Sequence, residues 1–162
     1  MDNHFKIIIP LYNVEKWIKI CIRSVKVQNY KNFQCIILDD ISTDNSVDII
    51  KKEIENDNRF KLIVNTEKAF ALKNIYDGIK LSNANPEDII VTLDGDDWLA
   101  SADVLNNLNK IYNKEKCWLT YGSYAEYPGN RRGKFAKQIP YEIIQAASYR
   151  KYEWTQKVIF IE

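Results

Sequence analysis

The chain has 162 residues, with 23 Lys plus Arg against 22 Asp plus Glu and a formal charge of +1. That balance excludes a nucleic-acid binder held by a basic field, and the 46% apolar share supplies a core that a disordered tail would lack. A domain of this size buries on the order of 70% of its unfolded surface, so one domain without disulfide or metal staples is expected.

Residues 1–5 carry Asp2, Asn3 and His4 where a secretory signal would hold a basic patch and a long apolar stretch. No exported or membrane-spanning segment is expected, and the chain is placed in the cytoplasm. Phe5 to Ile9 is a β-branched run that predicts a buried strand halted by Pro10. Val14, Ile18, Cys21, Ile22 and Val25 recur at helical spacing and predict a helix over 14–27. Strands are predicted over 33–38, 60–64 and 89–93, and helices over 46–55 and 69–81, the latter ended by Ser82-Asn83-Ala84-Asn85-Pro86. Ser101 is read as the cap of a helix reaching Tyr112, and Cys117 to Tyr121 as a fifth strand. Beyond it come Tyr- and Gly-rich loops with a basic tip at Asn130-Arg131-Arg132-Gly133-Lys134, a helix over 141–150 and an apolar run over 158–161. Cys21, Cys35 and Cys117 are odd in number and widely spaced, which excludes a disulfide framework and a thiolate zinc site. They are expected to pack as small hydrophobes, in keeping with a reducing compartment.

Strands alternating with helices imply parallel strands joined by right-handed crossovers, an α/β fold built as a three-layer α/β/α sandwich. In such a sheet every loop after a strand lies at the carboxyl edge, where ligands bind. Those loops hold Pro10-Leu11-Tyr12-Asn13, Asp39-Asp40-Ile41-Ser42-Thr43-Asp44, Asn65-Thr66-Glu67-Lys68 and Asp94-Gly95-Asp96-Asp97.

Helix capping accounts for Asp44 and fits Asp97, at about 0.3–1 kcal/mol each. It does not account for three carboxylates within four residues. Two unit charges about 5 Å apart at an effective dielectric of 20 repel by roughly 3 kcal/mol, more than a cap returns. A divalent cation removes the conflict, and an oxygen-only donor set with open positions points to Mg²⁺ or Mn²⁺, with Asp96 the ligand.

These residues resemble the family 2 glycosyltransferases, which have the nucleotide-diphospho-sugar fold called GT-A. Ile7-Ile8-Ile9-Pro10-Leu11-Tyr12-Asn13 resembles the family's opening strand and base-contacting loop. Ile37-Leu38-Asp39-Asp40-Ile41-Ser42-Thr43-Asp44 is similar to its D-D-x-S-x-D segment. Ala71-Leu72-Lys73-Asn74 stands where it has a basic residue followed by Asn, and Leu93-Asp94-Gly95-Asp96-Asp97 resembles its D-x-D-D metal motif. The resemblance implies metal-dependent, inverting transfer of a sugar from a nucleotide-diphospho-sugar to a saccharide or glycoconjugate hydroxyl. UDP-sugar is the first donor, with thymine or guanine the alternative bases. Tyr12 would stack on or edge the base, Asp40 rather than Asp39 would accept its ring N–H, and Lys73 would sit near Asp40. Asp94 would reach the ribose and Asp96 the metal on the diphosphate. Pro10, Asn13 and Gly95 complete the nucleotide-sugar loops, in a binding domain over 1–125 followed by a partial acceptor-side region over 126–162.

Two departures stand out. Where the family has glycines before its basic residue, this chain has Glu67, Lys68, Ala69 and Phe70. The family's downstream Glu-Asp base is also missing, since Glu87-Asp88 precedes the fourth strand and so lies at the opposite end of the sheet. Glu126, Glu142 and Glu153 are the fallback bases, and a nucleotide-sugar-binding domain without transfer activity is the main alternative. Trp17 and Trp118 are read as packing residues, Trp98 as open between the sugar pocket and packing. Tyr121, Tyr124 and Tyr127 are read as packing rather than an acceptor platform, Arg131, Arg132 and Lys134 as a solvated loop, and His4 as partnerless. A receiver-type signalling domain places its acidic pair after the first strand, and an Asp-nucleophile phosphatase opens on its D-x-D; neither order is found here. An EF-hand fails because Leu105 stands at its closing position. No nucleic-acid partner is expected, and self-association is left open.

Overall fold

The computed structural model describes residues 2–115, 117–120, 122–132 and 141–142. The chain divides into two compact units, Met1–Glu115 and Lys116–Glu162.

In the first unit the strands are β1 (Phe5–Leu11), β2 (Phe33–Asp39), β3 (Phe60–Val64) and β4 (Ile89–Thr92), and the helices α1 (Ile18–Lys26), α2 (Ser46–Ile54), α3 (Phe70–Leu81) and α4 (Val104–Lys114). All strand pairs are parallel, in the order β3-β2-β1-β4. The two central strands bury every residue but Gln34, which is why, apart from Lys6, Gln34 and the terminal Asp39, they read as apolar runs rather than alternating ones. On one face Ile8, Ile36 and Leu38 form a cluster. Here α3 comes so close that a Cβ on Gly78 would lie 2.5 Å from Ile8 Cγ2 and 2.7 Å from Leu38 Cδ1. Cys35, next to Ile36 in β2, faces the other side of the sheet, where burial and then Cys21 of α1 raise its thiol pKa. Both cysteines are buried and free, as expected of small hydrophobes.

Several boundaries differ from expectation for physical reasons. Pro10 does not halt β1, which continues to Leu11. The carbonyls of Ile8 and Pro10 accept bonds from Leu93 and Gly95, so Pro10 turns its missing N–H towards the side where β4 has already ended at Thr92. No ladder bond is lost there. Residues 14–17 form a turn before α1 rather than its first residues. Ser101 does not cap α4: its hydroxyl accepts the Asp103 N–H at 3.3 Å, and α4 starts at Val104 and runs past Tyr112 to Lys114.

In the second unit, residues 117–120 form no strand, and Trp118, expected to pack, is fully exposed. An apolar run becomes a strand only when a neighbouring ladder takes up its backbone groups. The basic tip is instead half of a hairpin, β5 (Ala125–Glu126) against β6 (Arg131–Arg132), antiparallel and exposed. Asn130 turns the chain at φ 47°, a conformation Asn tolerates. Tyr141 and Glu142 are helical. Tyr121, Lys134, Glu153, the rest of the expected helix and the run over 158–161 lie outside the described residues.

His4 is not partnerless. Its Nδ1 lies 3.6 Å from Asp88, which also pairs with Lys6 at 3.8 Å. Asp88 therefore belongs to the amino end of the sheet, as its position before β4 requires.

Candidate functional site

The loops after β1 and β2 are laced together. Asn13, at φ 52°, donates its N–H to Ser42 Oγ at 2.9 Å and accepts the Thr43 N–H on Oδ1 at 2.8 Å. The Val14 N–H donates to Ser46 Oγ (3.0 Å), the Glu15 N–H to Asp44 (3.0 Å), and the Asn45 N–H back to Glu15 (3.0 Å). Asp44 also accepts the Ser46 N–H, at 3.0 Å, so the capping read from the sequence is shared between two loops. Burial works against the charge on Asp44, but these bonds outweigh it and lower its pKa. The polar D-x-S-x-D residues are thus a fastener that holds the rim of the crevice rigid.

Asp39, the last residue of β2, and Asp40, just past it, turn to different partners. Asp39 is buried, accepts the Ser42 N–H on Oδ2 at 3.0 Å, and has no partner for Oδ1 among the described residues. Asp40, also buried, accepts the Ala69 N–H (2.7 Å), the Phe70 N–H (3.0 Å) and Asn65 Nδ2 (3.0 Å). Burial alone would raise the Asp40 pKa; bonds from Ala69, Asn74, Asn65 and Phe70 bring it down to about 2. Asp40 therefore anchors the start of α3, where orphan N–H groups and the helix dipole favour an anion. Phe70, which donates to Asp40, stands at φ 61°, and Ile41 beside Asp40 at φ 64°. Such conformations cost bulky residues on the order of 1–3 kcal/mol each.

Lys73 was expected beside Asp40. Its ammonium instead pairs with Asp77 one turn along α3. The cation that reaches Asp40 is Lys68, 3.2 Å from its carbonyl oxygen and 3.8 Å from Oδ2. The same ammonium lies 2.9 Å from the centroid of the Tyr12 ring, which is 48% exposed. Sequence reasoning missed Lys68 because a loop has no periodicity to show where a long side chain reaches.

The turn after β4 closes with the Asp97 N–H on the Asp94 carbonyl at 3.0 Å, and the Gly95 N–H on Pro10 O at 3.2 Å. A Cβ on Gly95 would sit 2.6 Å from Leu11 Cβ, so only glycine lets this turn lie against β1. Asp94, Asp96 and Asp97 are exposed on it. Partial burial, then the Asp96 charge, raises the Asp94 pKa; Asp97 is raised likewise, with Asp94 adding to the effect. Beneath them the buried Cys21 thiol donates to the Asp94 carbonyl at 3.7 Å, and burial, then these same charges, keep it protonated. Trp17 and Trp98 stack beside the turn, with centroids 6.2 Å apart.

No three His, Cys, Asp or Glu residues among the described ones converge as a complete metal cage. The turn does fit a cation that takes one or two carboxylates and completes its sphere with phosphate oxygens, since it exposes three carboxylates and the Asp96 charge opposes ionisation of the other two. Among the proposed bases, Glu126 and Glu142 are exposed. No helix among the described residues is long and apolar enough to cross a membrane.

Comparison with known proteins gives this edge its setting. An uncharacterized glycosyltransferase of Haemophilus influenzae is 35% identical over 121 residues, 74% of this chain and 46% of its own length. The chain spans less than half the length of the curated relatives first matched. Two solved structures share the fold at low identity. Staphylococcus aureus TarS 1-349 in complex with UDP has a TM-score of 0.67 and 20% identity, covering 85% of this chain and 38% of that one. A mannosyltransferase from Pyrobaculum calidifontis in complex with GDP-Man and Mn²⁺ has a TM-score of 0.60 and 19% identity, covering 77% and 35%. Residues 6–161 match the profile of the family described as Glycosyl transferase family 2, and the chain belongs to that family.

Proposed function

We propose that this chain binds a nucleotide-diphospho-sugar, a UDP-sugar first, across the carboxyl edge of its sheet, and that it serves inverting transfer of the sugar to an acceptor hydroxyl. One observation carries the reading: an exposed acidic turn, in which the Asp96 charge opposes ionisation of Asp94 and Asp97, shares one sheet edge with an exposed aromatic ring and a buried, ionised carboxylate. Tyr12 offers the base a ring face. Asp40, with its pKa near 2, is acceptor-only at neutral pH and suits a base ring N–H, as in uracil or guanine. Asp94 is assigned to the ribose and Asp96 to Mn²⁺ or Mg²⁺. A bound cation supplies charge stabilisation to the diphosphate as the bond from sugar C1 to its oxygen breaks. The acceptor oxygen forms the new bond to C1 from the opposite face and gives its proton to a carboxylate. Glu126, Glu142 and Glu153 are the residues assigned that task, in the region 126–162.

The test is thermal denaturation with UDP, with and without Mn²⁺. UDP should raise the melting temperature only with the cation present, by about 2.7 kcal/mol of stabilisation at 100 times its dissociation constant. Asp96→Asn should abolish the cation-dependent part. Equal shifts in Mn²⁺ and in EDTA would remove the metal assignment, and a shift with GDP alone would change the base.

A further inference from the structure

Lys68 lies in the loop after β3, outside the four segments that resemble the family's motifs. Lys68 Nζ sits 2.9 Å from the Tyr12 centroid and donates to the Asp40 carbonyl at 3.2 Å. Because one ammonium touches both groups, the covered ring face is the one turned towards Asp40. A base stacked on that face would need its atoms at about 3.5–4.0 Å from the ring, in the volume the ammonium fills. The two cannot be there together.

We propose that Lys68 is the resident occupant of the base platform, and that a nucleotide stacks on Tyr12 by displacing it. The inference rests on the nucleotide-sugar reading above. Lys68 acts through Tyr12 and is a positioning residue. Its side chain is 36% exposed, so solvent is open to the displaced ammonium. A cation over an aromatic ring at a partly exposed site contributes on the order of 0.5–1 kcal/mol, and its bond to the Asp40 carbonyl adds to the occupied state. A ligand that must first clear the platform binds with an affinity reduced by the fraction of molecules in which it is clear.

The experiment measures UDP affinity in Mn²⁺, and separately uridine affinity, by calorimetry. The proteins are the parent, Lys68→Ala, Lys68→Arg, Tyr12→Leu and the Lys68→Ala/Tyr12→Leu pair. Lys68→Ala should bind UDP about three- to tenfold more tightly. Uridine should show the same factor, because the effect resides at the base and not at the diphosphate. Lys68→Arg, which keeps a cation for the ring, should show no such gain. In the Tyr12→Leu background the gain from Lys68→Ala should vanish, which a merely structural role for Lys68 would not produce. Weaker or unchanged binding by Lys68→Ala, with the parent still binding UDP, overturns the displacement and leaves the nucleotide reading standing. No heat from UDP or uridine with the parent itself overturns both.

Discussion

Asp40→Asn offers the sharpest test of how the site is held together. The carboxylate accepts two backbone N–H groups at the start of α3, from Ala69 at 2.7 Å and Phe70 at 3.0 Å, as well as the Asn65 amide. Its pKa falls from 3.8 to about 2, a shift that corresponds to roughly 2 kcal/mol of stability. The sign follows from the direction. A carboxyl whose folded pKa is depressed contributes in full above its unfolded pKa near 4, and the contribution is lost as pH falls through about 2. An amide of the same shape keeps one acceptor oxygen but turns an NH₂ towards one of the donors, leaving a buried group unpaired at about 1–3 kcal/mol. At pH 7 the substitution should therefore cost about 2–4 kcal/mol, a large share of the 5–15 kcal/mol typical of a domain. Urea denaturation of parent and variant from pH 7 down to pH 2.5 reads the difference. Asp44, Glu53 and Asp57 also have lowered pKa values and give the parent further acid sensitivity, which cancels in the difference. The gap between the two proteins should narrow by more than 1 kcal/mol below pH 4. A constant gap across that range would show that the charge on Asp40 plays no part in anchoring α3.

Gly95→Ala should destabilise by about 1–3 kcal/mol in urea, since its Cβ would meet Leu11 Cβ, which no rotamer can move, at 2.6 Å. Gly78→Ala gains about 1 kcal/mol of helix propensity, but its Cβ would overlap Ile8 and Leu38, so a net loss of stability is expected; a net gain would mean that α3 can lift off the sheet. Phe70→Gly should match the parent or exceed it by up to about 1 kcal/mol, because the exposed ring loses little packing and φ 61° is relieved, whereas Phe70→Val should fall below it. If the valine variant is the more stable, Phe70 does not hold that conformation in solution. With UDP-sugars, Mn²⁺ and an acceptor panel, donor hydrolysis should outpace glycoside formation in the isolated chain, since a positioned base contributes about 10²–10⁴-fold. Product formation lost on mutating Glu126, Glu142 or Glu153 would show instead that the base lies within this chain.

What was legible in the sequence was what depends on near neighbours. The strand Phe60–Val64 was readable to the residue, because a β-prone run, apolar but for Lys61, between Asn58-Arg59 and Asn65 has one local solution. The parallel arrangement followed from alternation, and the place of the acidic turn at the carboxyl edge followed from that arrangement. What was not legible depends on reach across space. Lys73 and Lys68 are equally basic and five residues apart, and only the path of the loop decides that one meets Asp77 and the other Tyr12 and Asp40. The fastener between Asn13–Glu15 and Ser42–Ser46 joins positions about thirty residues apart whose side chains, in isolation, read as ligand contacts or caps. The run at 117–120 failed for the complementary reason, since strand propensity there met no ladder.

The acidic residues of this edge divide by what they already hold. Asp39, Asp40 and Asp44 each accept backbone N–H groups, so each closes a loop in addition to any ligand contact it makes. Mutating any of them would disturb the site through its scaffold, and a loss of activity would say little about contact with a ligand. Among the described residues, none of the Asp94, Asp96 and Asp97 carboxylates takes a hydrogen bond, and the Asp96 charge raises the cost of ionising Asp94 and Asp97. Removing one should therefore relieve the fold rather than burden it. Asp96→Asn should leave the unliganded protein as stable as the parent or more so, while losing the cation-dependent response to UDP. That opposition is what separates a ligand from a structural acid: where stability and binding fall together the residue was scaffold, and where they part it was site. If Asp96→Asn unfolds the domain, the acidic turn is structure, and the metal needs another home.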